Sequence, residues 1–118
     1  MLKKLNEAMD YIEEHLEEDF SLDKIAEYVH VSDLHLRKIF FALTNISLND
    51  YVKNRRMSKA NQELLRGKSV TEVAYQYGYQ SVDVFSRAFK KWSGMLPSEA
   101  AKLQKCKTFQ KLSFVVTI

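Results

Sequence analysis

The 118-residue chain holds one cysteine, one proline and three glycines, and no uninterrupted apolar run of membrane-spanning length. Each shortage excludes something. A lone Cys106 cannot close an internal disulfide, and Cys106 has no spaced partner for a metal site. The few glycines and prolines exclude low-complexity and collagen-like chains. Without a stretch of about 18 apolar residues or a cationic leader, nothing points to membrane insertion or export, and a cytoplasmic location is expected. There is also no glycine-rich phosphate loop, no HExxH pattern and no nucleophile elbow. His15, His30 and His35 lie on three separate segments. An enzyme, a bound metal and a cofactor are therefore not expected.

What is present is a globular composition, 46% hydrophobic and 28% charged, with a net charge of +3. The charge is unevenly spread. Residues 1 to 27 carry three lysines against nine acidic residues, whereas residues 28 to 118 carry fifteen basic residues against six acidic ones. The larger part of the chain suits a polyanion, and the acidic leading segment would have to face away from it.

The apolar residues recur at helical spacing almost throughout. Leu5, Ala8, Met9, Ile12 and Leu16 predict an amphipathic helix with Glu7, Glu13, Glu14 and Glu17 on its other side. Ser21 to Val29 reads as a short capped helix, followed by a tight passage through His30 and Val31 and a second cap at Ser32. From Asp33 to Thr44, Leu36, Ile39, Phe40 and Leu43 line one face, opposite Leu34, Arg37, Lys38 and Phe41. A long helix follows from about Leu48 to Arg66, started by Ser47 and stopped at Gly67, with Leu48, Val52, Ala60 and Leu64 as its apolar stripe, Met57 and Leu65 beside it, and Lys53, Arg55 and Lys59 on the solvated side.

Then the pattern repeats. Ser21-Leu22-Asp23-Lys24-Ile25-Ala26 matches Ser69-Val70-Thr71-Glu72-Val73-Ala74 at an offset of 48. With one residue inserted in the turn, Ser32, Leu36, Ile39, Phe40 and Leu43 fall on Ser81, Phe85, Ala88, Phe89 and Trp92. Ser69 and Glu72 predict a capping box, Gly78 a left-handed helix end, Gly94 the close of the second helix, and Pro97 the start of a last short one. The tail differs: Leu112, Phe114, Val116 and Ile118 alternate with Ser113, Val115 and Thr117 in a strand-like way. The reading is an all-α fold of about seven helices with a short strand-like tail. Residues 1–46 form a first helix-turn-helix subdomain, 47–66 a linker helix, 67–104 a second helix-turn-helix subdomain, and 105–118 a tail leading toward a further domain.

Two helices joined by a tight turn, the second apolar on one face and basic on the other, are the unit that places a helix in the major groove. A 19-residue linker helix is about 28 Å long at 1.5 Å per residue, close to the ~34 Å between successive major-groove faces. The most specific run of residues lies in the second copy: Val70-Thr71-Glu72-Val73-Ala74, Gly78-Tyr79, Phe85-Ser86-Arg87-Ala88-Phe89-Lys90-Lys91, Gly94 and Pro97. In this order and spacing, over about Leu2 to Lys102, the chain resembles the AraC/XylS family of bacterial transcription regulators. The first copy departs from the family pattern at Asn45, where glycine is usual, and at Phe41, where lysine is usual.

The resemblance implies sequence-specific binding of double-stranded DNA at promoters, with activation or repression set by the site, contact with RNA polymerase, and a small-molecule effector acting through a domain outside this chain. Carried onto these residues, Leu34, Arg37 and Lys38 in the first copy and Val82, Asp83, Ser86 and Arg87 in the second are the candidate base contacts. Arginine or lysine donates to guanine, an acid accepts from cytosine, and an apolar side chain meets the thymine methyl. Ser32, Arg55, Ser81, Lys90 and Lys91 are the candidate phosphate contacts. Arg56, close to the apolar stripe, is read as structural, and Trp92, Phe40, Phe85 and Phe89 as core. The competing reading is a helical protein-interaction module that uses faces such as that of Phe41.

Overall fold

The computed structural model describes residues 1–18 and 21–115, and among these it contains seven α-helices and no strand. They are α1 (Leu2–Glu14), α2 (Leu22–Val29), α3 (Asp33–Thr44), α4 (Leu48–Leu65), α5 (Val70–Gln76), α6 (Val82–Ser93) and α7 (Pro97–Leu103). The chain divides into two compact units: Met1–Lys53 with Lys111–Ile118, and Asn54–Gln110. The division falls inside α4, so one continuous helix supplies apolar residues to both.

The first unit buries Leu5, Ala8, Met9 and Ile12 of α1, Leu22, Ile25, Ala26 and Val29 of α2, Leu36 and Phe40 of α3, and Leu48, Tyr51 and Val52 of α4. The second buries Met57, Ala60 and Leu64 of α4, Val73 and Ala74 of α5, Phe85 and Phe89 of α6, and Ala100 of α7. Each fully buried large side chain contributes about 1.5 to 3 kcal/mol. Leu43 was expected in the first core but is 56% exposed. Its repeat partner Trp92 is half-buried rather than core. The Trp92 indole N–H donates to Asn54 Oδ1 at 2.8 Å, and Lys107 Nζ stands 4.8 Å from the ring centroid. Leu43 has no such cover.

The duplication read in the apolar residues extends to individual backbone hydrogen bonds. His30 and Gly78 both adopt left-handed conformations, with φ of 59° and 82°. Past them the Val31 amide donates to the Ala26 carbonyl at 3.1 Å and the Tyr79 amide to the Ala74 carbonyl at 3.0 Å, the closing bond of a Schellman-type end. Ser32 and Ser81 then cap α3 and α6, accepting from the amides of His35 and Val84 at 3.2 Å each. Both helices end on a left-handed residue, Asn45 in one and Gly94 in the other. Asparagine takes this conformation readily, which explains how the first copy dispenses with glycine. Even the hydroxyl before that residue is matched. Thr44 Oγ1 lies 2.8 Å from the Phe40 carbonyl and accepts from the Ile46 amide, and Ser93 Oγ lies 2.9 Å from the Phe89 carbonyl and accepts from the Met95 amide.

Ser69 Oγ accepts from the Glu72 amide, one half of the expected capping box, while the Glu72 carboxylate takes the Ser69 hydroxyl at 3.1 Å and not the Ser69 backbone amide. Ser21 occupies the N-cap of α2 without a side-chain capping bond.

The tail does not form a strand among the described residues, and the expected strand positions 116–118 lie outside them. Its backbone is satisfied by side chains instead. In the second unit Asn61 donates to the Lys105 carbonyl at 3.1 Å and accepts from the Lys107 amide at 2.9 Å. Ser58 Oγ accepts from the Phe109 amide at 3.1 Å. In the first unit the Tyr51 hydroxyl accepts from the Leu112 amide at 3.0 Å, and Asn6 accepts from the Phe114 amide at 2.6 Å and donates to its carbonyl at 2.7 Å.

In the second unit Glu63 Oε1 accepts from Gln76 at 3.0 Å and from Lys68 at 3.3 Å. Burial pushes its carboxyl up, but the hydrogen bonds from Gln76, Tyr77 and Lys68 outweigh that and leave it below the ordinary 4.5. A depressed folded-state value means that the stabilisation is present above pH 4.5 and is lost as pH falls through the folded value. Glu63→Gln is therefore expected to flatten the fall in stability between about pH 5 and pH 3 seen in denaturant titrations of the parent chain.

The matched turns make a second prediction. Nothing lies within 4 Å of a Cβ built on Gly78, so only backbone strain opposes a side chain there. Gly78→Ala should lower stability by about 1 kcal/mol and His30→Gly should raise it by a similar amount, as read by thermal unfolding.

Candidate nucleic-acid interface

In α3, burial of Leu36 and Phe40 turns the opposite side outward. Leu34, Arg37, Lys38 and Phe41, spaced three and four residues apart, form one exposed stripe. Leu34 is 64% exposed. The Arg37 Nε donates to Asp33 Oδ1 at 2.9 Å, a bond that holds the guanidinium more firmly protonated than usual. Lys38 has no ion-pair or hydrogen-bond partner among the described residues. Beside the stripe, Leu22, Phe41, Ala42 and Leu48 line a hollow of about 380 Å³, with Arg37 and Lys38 at its edge.

In α6, Phe85 and Phe89 are buried and Asp83, Arg87, Lys90 and Lys91 are exposed. Val82 and Ser86 are half-buried at the margin of the same side. Arg87 Nη2 donates to Asp83 Oδ2 at 2.6 Å, and the arginine side chain is 75% exposed. Lys90 and Lys91 make no ion pair among the described residues. Each of the two copies thus presents one helix whose outward side combines hydrogen-bond donors, cations and a little apolar surface, the composition that reads base edges and phosphates. The cap oxygens of Ser32 and Ser81 already accept amides, which leaves each hydroxyl proton to donate.

Arg55 is a correction. It was expected on the solvated side of α4 at a phosphate, but it is 6% exposed and donates through Nη1 to the Phe109 carbonyl, beneath the tail. The tail, too far away in sequence to enter a helical-periodicity reading, covers the face that looked free. Ser58 and Asn61, three and six residues on, are buried on the same face. Three residues on or beside these sides were not among the expected contacts: half-buried Asp33, and exposed His35 and Val84. His35 and Val84 occupy the same position of the repeat and stand three residues before Lys38 and Arg87, so helical spacing alone places them beside those cations. Among the described residues, no group of three His, Cys, Asp or Glu could hold a metal ion, and no helix is long and apolar enough to cross a membrane.

Two capped helix pairs, each with its second helix outward on the donor-rich side, define a tandem helix-turn-helix protein. The comparisons agree. A family model described as a helix-turn-helix domain matches residues 25–102. An HTH-type transcriptional regulator of Staphylococcus aureus (strain COL) is 33% identical over 97 residues, which is 81% of this chain and 13% of the relative, so the chain spans a small part of the curated relatives it matches. A Chromobacterium violaceum transcriptional regulator with an AraC-type DNA-binding domain superposes with a TM-score of 0.81 at 29% identity, over 86% of this chain and 92% of that one. The DNA-binding domain of AdpA, solved in complex with a target DNA, superposes with a TM-score of 0.72 at 25% identity, over 85% and 91%. The chain belongs to the AraC-type helix-turn-helix family.

The position of Arg55 is testable. Arg55→Ala should lower stability by about 1 to 3 kcal/mol, because it strips a buried donor from the Phe109 carbonyl. The salt dependence of DNA binding should stay as it was, whereas loss of a phosphate contact would reduce the slope by about 0.9.

Proposed function

We propose that this chain is the DNA-binding part of a transcription regulator, and that it inserts α3 and α6 into successive major grooves of one duplex. The observation that carries the reading is the repeat itself. The same left-handed turn, cap and pair of buried apolar side chains, Leu36 and Phe40 in α3 and Phe85 and Phe89 in α6, occur twice, and each time they expose the cationic side of the second helix. Membership of the AraC-type family and the likeness to a domain solved on its target DNA support it.

In this reading Arg37, Lys38 and Leu34 of α3 face base edges, as do Arg87, Val82 and Ser86 of α6 with Asp83 beside them. Ser32, Ser81, Lys90 and Lys91 meet phosphates. Arg55 is left out. The acidic side of α1, with Glu7, Glu13 and Glu14, faces away from the duplex. No step of this function is catalytic, and a chromosomal target places the chain in the cytoplasm. RNA polymerase as partner and a small-molecule effector acting through a domain outside this chain are part of this proposal, suggested by the family resemblance alone.

Exposed Phe41, at the edge of the apolar hollow, favours a second reading in which α3 docks a protein. Salt separates the two. Binding to a specific duplex should weaken with a log–log slope of about −0.9 per neutralised phosphate, whereas an apolar protein interface should hardly respond.

Arg87→Ala is expected to weaken a specific duplex by about 1 to 3 kcal/mol and relax preference in one half-site. Lys90→Ala should weaken all duplexes alike and reduce the salt slope by about 1. Fluorescence-anisotropy titrations against specific and unrelated duplexes distinguish these outcomes. Unchanged affinity and preference in Arg87→Ala would remove α6 from the interface.

A further inference from the structure

Each outward helix carries an aspartate in its first turn that binds an arginine one turn on: Asp33 to Arg37 in α3 and Asp83 to Arg87 in α6. Both pairs are exposed, and exposed pairs add little to stability. An acid on a side meant for phosphates also lowers affinity for DNA. What the aspartate does supply is geometry. A free arginine side chain is long and samples many rotamers, and fixing it on a base edge costs that freedom. A carboxylate four residues back, on the same helix face, fixes it beforehand.

The atoms used matter. Arg37 spends Nε on Asp33, so its two terminal nitrogens, the pair that bridges guanine O6 and N7, are unengaged among the described residues. Arg87 spends one hydrogen of Nη2 on Asp83, and Nε and Nη1 remain.

The two pairs are not repeat equivalents. The alignment that superposes Ser32 on Ser81 sets Asp33 on Val82 and Arg37 on Ser86, whereas Asp83 and Arg87 fall on Leu34 and Lys38. The held arginine therefore stands one residue later in α6 than in α3, about 100° further round the helix at 3.6 residues per turn.

Resting on the DNA-binding reading above, we propose that Asp33 and Asp83 are positioning residues for specificity. Each holds its arginine in a guanine-reading pose, and the one-residue offset makes the two half-sites carry their guanine at different places. The aspartates act through the arginines and not on a base.

The test selects bound sequences from a randomised duplex pool with the full chain, its Asp33→Ala, Asp33→Asn and Asp83→Ala variants, and then measures affinities. The probes are the selected duplex, the same duplex with each preferred guanine changed to adenine, and an unrelated duplex. Asp33→Ala is expected to lower the guanine-over-adenine ratio about tenfold in one half-site only. Its affinity for the unrelated duplex holds or rises. Asp83→Ala does the same in the other half-site, and Asp33→Asn, which keeps an acceptor oxygen, retains most of the preference. Thermal unfolding identifies any variant that has lost its fold, and in its place Asp33→Asn decides for the first half-site and Asp83→Asn for the second.

Two results overturn the proposal: alanine variants that keep the guanine preference, or variants in which preference and affinity for the unrelated duplex fall together, as for a merely structural role. Equal guanine positions in both half-sites overturn the offset. A parent chain that binds no duplex defeats the DNA-binding reading itself, and this proposal with it.

Discussion

The amide–carbonyl bonds from Val31 to Ala26 and from Tyr79 to Ala74 set the direction in which each outward helix leaves the helix before it. They form only because the preceding residue, His30 or Gly78, turns left-handed. A chain that continued right-handed there would extend α2 or α5 and carry the next apolar stripe off its core. With the turn made, Phe40 and Phe85 drop into their units, and burial of one side exposes the other. The donor-rich sides of α3 and α6 are thus a by-product of packing as much as a composition.

Much of this was legible in the residues. Caps, left-handed helix ends and apolar spacing are local signals, and they occur twice, which separates them from chance. What was not legible depends on contacts between residues far apart in the chain. Arg55 reads as part of a solvated side of α4 with Lys53 and Lys59, because nothing nearby in sequence opposes it, and the segment that buries it together with Ser58 and Asn61 arrives some fifty residues later. Leu43 looks like core because spacing cannot show that a helix has outrun its cover.

The tail teaches the same lesson from the other side. Alternation of apolar and polar residues reports a chain whose neighbouring side chains point opposite ways, and Leu112 and Phe114 are indeed half-buried while Ser113 and Val115 are exposed. Alternation does not say who satisfies the backbone. In a sheet it would be another strand. Here the Tyr51 hydroxyl and the Asn6 carboxamide take that place.

Lys107, Phe109, Leu112 and Phe114 each hand their amide to one particular side chain. A ladder of backbone partners tolerates slippage, since every rung is alike; a row of unlike acceptors does not. The number of residues after α7 is consequently fixed more tightly than their identity. One residue added or removed near Cys106 would shift every later amide away from its acceptor, while most side-chain exchanges at the exposed positions between would leave the register intact.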